Sequence, residues 1–563
     1  MENYVYGAIG ALVLIYILYQ LINGKRNRRL KLLSRVRSSY GAVPKREYTE
    51  EELKKIRTYS DMIRNDGDYY VDDITWNDLD LDAVYAAINH THSSVGEEVL
   101  YDILRRPIFS EDELKERNRV IELFTHDSNL RESLSMDYAS VGRTKKYSLI
   151  EYLSQFRQLK TLPDYIPYFH LLLIPACILI AFFLPTIGIT ALILSIIFNL
   201  IFYYRNKANI EPYFVSLQAM AYLTDAAQRI SERQAPGIEA YLNQIKKELQ
   251  PVKSLSKEIF WIGNGSVGSS MDLIQVALDY LRMITHIDFI VFNRMVKKVV
   301  NNENHMLALI RTMGFLEAMI SVASYRQTIP FFTTGEFTSE GEGVVLKNGY
   351  HPLIKEPVAN SVEEGSSLLI TGSNASGKST FLRMTALCAL FSQTIATVHA
   401  TEYRAPFFRI YSSMALRDDI QSSESYFIVE IRSMKRIMDA VEKEGPRVLC
   451  FVDEVLRGTN TVERIAASSQ ILKTLSDKGA FVFAATHDIE LTQLLKGIYA
   501  NYHFTEEVEE DRVTFSYKLL PGEATTRNAI RLLKIMGYDD KVVENATKEA
   551  EDFMKNGTWS LVK

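Results

Sequence analysis

The sequence predicts an α/β domain in the C-terminal part of the chain, joined to an all-α region that carries apolar helices. Three patterns predict it. From Pro330 onward, short apolar runs such as LLITG, RVLCFVDE and AFVFAATH alternate with helical stretches, the pattern of a mostly parallel sheet. Glu211 to Gln327 reads as almost continuous helix, interrupted at Pro236-Gly237, Pro251 and the glycine-serine run from Gly263 to Ser270. Tyr165 to Tyr204 is a run of forty residues without Asp, Glu, Lys or Arg.

Composition sets the outer bounds. The 563 residues are 24% charged and 47% hydrophobic, values of folded protein with room for several domains. A net charge of −5 gives no global attraction to nucleic acid or anionic lipid, so such contacts require a local patch. Cys177, Cys388 and Cys450 are far apart in apolar surroundings, which suits buried thiols better than a disulfide framework or a metal site.

Three membrane spans are expected. Asn3 to Gly24 is uncharged and long enough to cross about 30 Å of hydrocarbon. Lys25, Arg26, Arg28, Arg29 and Lys31 follow it, which places the N-terminus outside by the positive-inside rule. The forty-residue run breaks at Pro185-Thr186-Ile187-Gly188 and reads as a helical hairpin with arms Pro167–Leu184 and Ile189–Tyr204. Tyr165, Tyr168, Tyr203 and Tyr204 supply an interfacial belt. Both flanking regions then share the cytoplasmic face of a bacterial-type inner or plasma membrane, in a multi-pass arrangement.

The resulting organisation is an anchor at 1–24, a basic then mixed-charge linker at 25–71, and a first helical part at 72–164. The hairpin at 165–204, a second helical part at 205–329 and the α/β domain at 330–563 complete it. Within the first helical part, Leu79, Leu81, Val84 and Ile88 share one face, and Val95, Val99, Leu100 and Ile103 another.

The chemistry is concentrated in SLLITGSNASGKSTFLRM, from Ser367 to Met384. Gly372, four residues on Gly377, then Lys378 and Ser379 form a phosphate-binding loop between a buried strand and a helix. Glycines let backbone N–H groups turn inward on phosphate, Lys378 adds a mobile positive charge, and Ser379 is a Mg²⁺ ligand. Thr380 opens the helix whose N-terminal dipole faces the anion. Binding alone does not hydrolyse a nucleotide. A carboxylate for Mg²⁺ and a group to activate water are also needed, and RVLCFVDEVLRGTNT brings Asp453 and Glu454 to the C-terminal end of a buried strand. Asp453 is the second metal residue and Glu454 the base. AFVFAATH ends in His487, a candidate sensor of the γ-phosphate.

These motifs resemble the MutS family of DNA mismatch-repair ATPases. HPLI from His351, TGSNASGKSTFLRMTALCALFSQ from Thr371, DDIQSSESYFIVEI from Asp418, DEVLRGTNT from Asp453 and ATHDIELTQLL from Ala485 stand in that family's order. The resemblance extends over about Asp72 to Ala546, apart from the hairpin. It implies a P-loop, ABC-type ATPase domain that binds ATP with Mg²⁺, with Asn374 as a family hallmark inside the loop. It further implies a homodimer, joined in part by C-terminal helices, in which Ser425 of each protomer reaches the other's nucleotide. The sequence departs at Ser423 and Glu424, where the family usually has glycine and arginine. A mismatch-reading domain with its Phe-x-Glu wedge has no counterpart before Asp72. Phe315-Leu316-Glu317 and Phe504-Thr505-Glu506 match the tripeptide elsewhere and read as structural.

The expected function is therefore a membrane-anchored, dimeric ATPase that moves a helical clamp, with DNA as a candidate partner. Lys246, Lys247, Lys253, Lys257, Lys297 and Lys298 are the basic clusters available to DNA. The alternatives are a nucleotide-gated membrane scaffold for protein partners and an ATP-driven transporter. Spans almost free of ionisable groups offer little for a substrate path.

Overall fold

Upstream of Pro330 the helical periods form helices, and beyond it the short apolar runs form strands. This computed structural model describes residues 26–27, 29–65, 67–144, 147–159, 161–258, 280–339, 341–373, 376–414, 426–457, 459–508, 513–524, 530, 533 and 535–559. The anchor expected at 1–24 lies outside the described residues.

In chain order the first helices are α1 (Glu50–Ile63), α2 (Asp73–Asp78), α3 (Leu81–Ile88), α4 (Ser94–Arg105), α5 (Glu111–His126), α6 (Ser128–Val141) and α7 (Leu149–Gln158). The hairpin is α8 (Tyr165–Phe183) and α9 (Pro185–Ser231). Then come α10 (Glu239–Leu249), α11 (Leu255–Glu258), α12 (Ile287–Asn301) and α13 (Glu303–Arg326). The remainder runs β1 (Glu336–Phe337), β2 (Val344–Gly349), β3 (Asn360–Glu364), β4 (Ser367–Thr371), α14 (Lys378–Ser392), β5 (Glu402–Ala405), β6 (Arg409–Ser413) and α15 (Tyr426–Val441). It closes with β7 (Val448–Asp453), α16 (Thr461–Asp477), β8 (Phe481–Thr486), α17 (Glu490–Leu494), β9 (Tyr499–Val508), β10 (Val513–Pro521) and α18 (Asp540–Asn556).

The chain divides into two compact units, one of residues 1–66, 86–103 and 119–328 and one of 67–85, 104–118 and 329–563. This differs from the single helical part expected at 72–164. Residues 67–85 join the second unit because β6 needs partners on its outer edge, and an exposed strand edge is a liability unless covered. Helix α2 supplies them. Ser412 N donates to Thr75 Oγ1 at 3.1 Å, and Met414 N and Ser412 Oγ donate to Asp78 Oδ2 at 2.9 and 2.6 Å.

In the first unit, Pro185 stands at the first turn of α9, where a missing N–H costs nothing, and the helix runs on through Pro212 to Ser231. The second arm therefore does not stop at Tyr204. It continues as one helix of 47 residues, about 70 Å at 1.5 Å per residue. Its far half is a core helix, with Leu217, Met220, Leu223, Ala226 and Ile230 fully buried. At the hairpin tip, Gly188 lets the arms touch, since a Cβ there would fall 2.1 Å from Ala181 Cα. The arms leave large apolar side chains in the open, among them Phe182 at 82% and Ile201 at 62% exposure. Helix α13 is also long and apolar enough to cross a membrane, but its most apolar window is 78% buried inside the unit. Gly314 on it approaches Val99 of α4, and Glu317 accepts hydrogen bonds from His92 N at 2.6 Å and Ser93 N at 3.0 Å, capping α4.

The second unit holds a six-stranded sheet in the order β10-β9-β4-β8-β7-β6. Strands β9, β4, β8, β7 and β6 pair in parallel and β10 runs antiparallel on the edge. The central strands β4, β7 and β8 are buried throughout, as their unbroken apolar runs require. A four-stranded mixed sheet, β1-β5-β2-β3, completes the unit. Cys177, Cys388 and Cys450 are free and buried, each in the unit that its segment belongs to.

Candidate functional site

Parallel strands deliver their C-terminal ends to one edge of a sheet, and there the candidate residues meet. Strand β4 ends at Thr371. Gly372 follows with φ of +143°, and Gly377, with φ of +105°, opens α14. Lys378 Nζ turns back over this loop and donates to the carbonyls of Gly372 at 2.6 Å and Ser373 at 2.8 Å. Ser376 Oγ donates to Ser373 O at 2.7 Å, and Ser373 Oγ donates to Glu506 Oε2 at 2.6 Å, so the loop is braced from within and from β9. Asn374 lies outside the described residues.

Strand β7, two places from β4, ends at Asp453, whose Oδ2 accepts a short hydrogen bond from Ser379 Oγ. Glu454 follows in a left-handed conformation, φ +62°, its N–H bonded to Ala485 O of β8 at 2.9 Å. Non-glycine residues pay about 1–3 kcal/mol for such a conformation, and it here turns the Glu454 carboxylate out of the strand direction. His487, just past β8, sets Nδ1 3.2 Å from Glu454 Oε1, and Arg457 Nε lies 2.7 Å from Glu454 Oε2.

The electrostatics follow from these neighbours. Burial pushes the Glu454 carboxyl upward, but the His487 hydrogen bond and the charges of Arg457, His487 and Lys378 outweigh it, so its pKa lies below the ordinary value. The hydrogen bond to Glu454 raises the His487 pKa, with burial opposing and the Glu454 and Asp488 charges assisting. Burial lowers the Lys378 pKa, against the attraction of Asp453 and Glu454. At neutral pH Glu454 is thus ionised and hydrogen-bonded.

Ser379 and Asp453 offer a hydroxyl and a carboxylate, the hard oxygen donors that Mg²⁺ prefers. Among the described residues there is no group of three or more His, Cys, Asp or Glu placed to hold a metal.

Beside the loop is a cavity of about 360 Å³ lined by His351, Gly377, Thr380, Phe381, Met384 and Tyr517, among others. Burial and the nearby Arg383 push His351 down to about 4, so it presents a neutral ring. Tyr517 sits at φ +53° in a bulge of β10, where its carbonyl accepts from Asn360 Nδ2 at 3.0 Å.

The structure thus brings together Gly372, Gly377, Lys378, Ser379, Asp453, Glu454 and His487, with Thr380 on the cavity side. Ser425, like Ser423 and Glu424, lies outside the described residues. Sequence reasoning missed Arg457, Tyr517 and the pair Arg464–Asp488, in which Arg464 Nη2 and Nε lie 2.7 and 2.9 Å from the two Asp488 oxygens. Arg464 Nη2 also lies 3.4 Å from His487 Nε2. Arg457 was legible from its place three residues after Glu454; Tyr517 had no local signal.

Comparison with known proteins gives the site its context. The family model for MutS domain V matches residues 368–554. The chain is 34% identical over 211 residues to the DNA mismatch repair protein MutS of Thermus thermophilus, a match covering 37% of this chain and 26% of that protein. It is 36% identical over 225 residues to the DNA mismatch repair protein MutS of Lactobacillus acidophilus, covering 38% and 26%. For the DNA mismatch repair protein MutS of Thermotoga maritima the figures are 31% over 281 residues, covering 47% and 34%. The matches span about a quarter to a third of the length of these relatives. Residues 368–554 thus carry the MutS domain V of that family.

Proposed function

We propose that the protein binds and hydrolyses ATP, with Mg²⁺, as a membrane-anchored homodimer of the MutS type. The observation that carries this reading is the convergence of Lys378, Ser379, Asp453, Glu454 and His487 at one sheet edge. In the proposed reaction Lys378 and the loop N–H groups hold the β- and γ-phosphates, and Ser379 and Asp453 hold the metal. When bound, Mg²⁺ neutralises charge on the phosphates. Glu454 accepts a proton from water as its oxygen attacks the γ-phosphorus, and the bridging oxygen leaves with ADP. His487 orients Glu454 and senses the γ-phosphate. The cavity beside Thr380 has the size and apolar lining for a nucleobase, with Tyr517 and His351 as ring surfaces.

The apolar surface of α8 and the first twenty residues of α9, Pro185–Tyr204, supports a bilayer hairpin, with the anchor at 1–24 as a third span. The inner or plasma membrane, with the nucleotide domain on the cytoplasmic side, is the proposed location. ATP-driven dimer closure, with Ser425 acting across it, would move the helical region as a clamp. Its relatives are DNA mismatch repair proteins, so DNA is the first partner to test.

A scaffold for protein partners, without DNA, is the second reading, and one observation favours it. Lys298 lies 3.8 Å from Glu258, which Arg294 also approaches at 3.2 Å, and Lys297 pairs with Asp164. That basic cluster is largely neutralised on its own surface. The test is ATP turnover by the detergent-purified chain with single-stranded, duplex and mismatched DNA at several salt concentrations. Turnover abolished by Lys378→Ala is expected. Salt-sensitive DNA binding or stimulation supports the clamp on DNA, and its absence leaves the scaffold.

A further inference from the structure

The second helical part, residues 205–329, reads in sequence as wholly outside the bilayer. One polar cluster says otherwise. Asn199, fully buried on the second hairpin arm, accepts from His170 Nδ1 at its Oδ1 at 2.7 Å and donates through Nδ2 to His170 O at 3.2 Å. It also donates to Ile284 O at 2.9 Å, and its own carbonyl lies 3.0 Å from His286 Nε2. The His170 and His286 rings are 4.6 Å apart, with Phe202 against both.

The depth of this cluster is fixed from two directions. His170 lies six residues past Asp164 and Asn199 six before Arg205, so both are about 9 Å along their arms from the flanking charges. On α12, Asn293 Nδ2 reaches Leu162 O at 2.7 Å and Asp164 Oδ1 at 3.2 Å, and Lys297 pairs with Asp164. Seven residues earlier, about 10 Å along the helix, stands His286. Helix α12 therefore begins level with Asn199 and runs back alongside the hairpin base. At His286 the chain turns, with φ +55°, and residues 280–285 before it are helical. There Tyr280 is 59% and Leu281 46% exposed, continuous in character with Phe169 and Phe198 on the arms.

We infer that residues 280–286 are a further membrane-contacting element, held by Asn199 beside the hairpin in the layer between lipid headgroups and acyl chains. This rests on the membrane reading above. A headgroup layer is about 5–8 Å thick on each side of a bilayer, so a cluster about 9 Å below the flanking charges lies at its inner boundary, where the acyl chains begin. Tyrosine favours that layer, and the exposed Arg205, with Lys207 stacked on Tyr203 at 5.1 Å, suits anionic headgroups just above it. The occupant is the phospholipid interface itself.

Nitroxide labels test this in the full chain reconstituted into phosphatidylcholine–phosphatidylglycerol vesicles. The native cysteines are buried, so single added thiols at Leu281→Cys, Phe182→Cys and Val542→Cys are the reactive ones. Collision with oxygen and with a water-soluble nickel chelate reports depth. Expected are deep shielding from nickel at 182, intermediate shielding at 281 and none at 542. A label at 281 as nickel-accessible as at 542, with 182 shielded, overturns this inference alone. Nickel access at 182 overturns the membrane reading and this inference with it. In Asn199→Leu, or in His286→Ala should the former fail to fold, the label at 281 should lose its shielding while 182 keeps it. Unchanged shielding in the variant overturns the role of the cluster.

Discussion

Replacing Gly372 by alanine should weaken ATP binding more than the same change at Gly377, for reasons visible in the loop. At Gly372, φ is +143°, and a Cβ would lie 2.8 Å from Phe504 O and 3.0 Å from Ser376 Oγ. Neither neighbour can move cheaply. Phe504 is backbone of β9, paired opposite Leu519, and Ser376 Oγ is committed to Ser373 O. The left-handed conformation costs a side-chain-bearing residue about 1–3 kcal/mol, and overpacking adds about 1–3, giving roughly 2–6 kcal/mol. If the loop rearranges to relieve this, the carbonyls that hold Lys378 move with it. At 1.4 kcal/mol per tenfold, even the low end weakens ATP by roughly 30-fold. At Gly377 the added Cβ meets only Tyr517 Cδ1, at 3.2 Å, and that residue is 44% exposed and able to turn away. The conformational term remains there, about 1–3 kcal/mol. Titration of a fluorescent ATP analogue, with thermal unfolding in parallel, measures both. Binding by Gly372→Ala within about threefold of the parent chain, or greater damage in Gly377→Ala, would refute the reasoning.

Three further outcomes are expected. Asp453→Asn should raise the Mg²⁺ concentration needed for half-maximal turnover by roughly 10–100-fold, because one of two metal-holding groups loses its charge; titration of turnover with Mg²⁺ checks it. Asp488→Asn should destabilise the second unit by roughly 3–5 kcal/mol, since it strands the guanidinium of the nearly buried Arg464, and adding Arg464→Gln should recover part of the loss in a double-mutant cycle of denaturant unfolding. Glu98, buried against Ser148 Oγ at 2.8 Å, is pushed up to about 8 from the ordinary 4.5 by burial, with hydrogen bonds opposing. The fold therefore keeps a proton that the unfolded chain releases. Its stabilising contribution is full below pH 4.5 and is lost as pH rises through about 8, at up to about 1.4 kcal/mol per pH unit. Glu98→Gln should flatten that slope in unfolding measured from pH 5 to 9. Part of it should survive through Glu317, which burial raises to about 7.

The parts of this protein that were legible in its sequence are those with a local signature. A phosphate loop spans eight positions, and β4, β7 and β8 announce themselves as short apolar runs ending in Gly372, Asp453 and His487. The hairpin was legible for the same reason, from a charge-free run of forty residues. What was not legible depends on pairing at long range. Nothing near Asp78 indicates that it will cap the edge of β6, more than 330 residues on, and so draw 67–85 into the second unit. The continuity of α9 past Tyr204 was hidden because a change from apolar to mixed composition, followed by Pro212, looks like a boundary, although the helix runs through both. Tyr517 reaches the cavity through a β-bulge, and Arg464 meets Asp488 across two elements. Neither arrangement leaves a spacing to read.

The central claim is that the edge of this sheet hydrolyses ATP through Glu454, and Glu454→Gln tests it most directly. The substitution keeps the size of the side chain and removes the carboxylate that accepts the proton from water. Single-turnover hydrolysis and ATP binding are measured on the same preparation. The account predicts retained binding and a hydrolysis rate lower by roughly 10²–10⁴-fold, the usual worth of a general base. Turnover equal to that of the parent chain would contradict it.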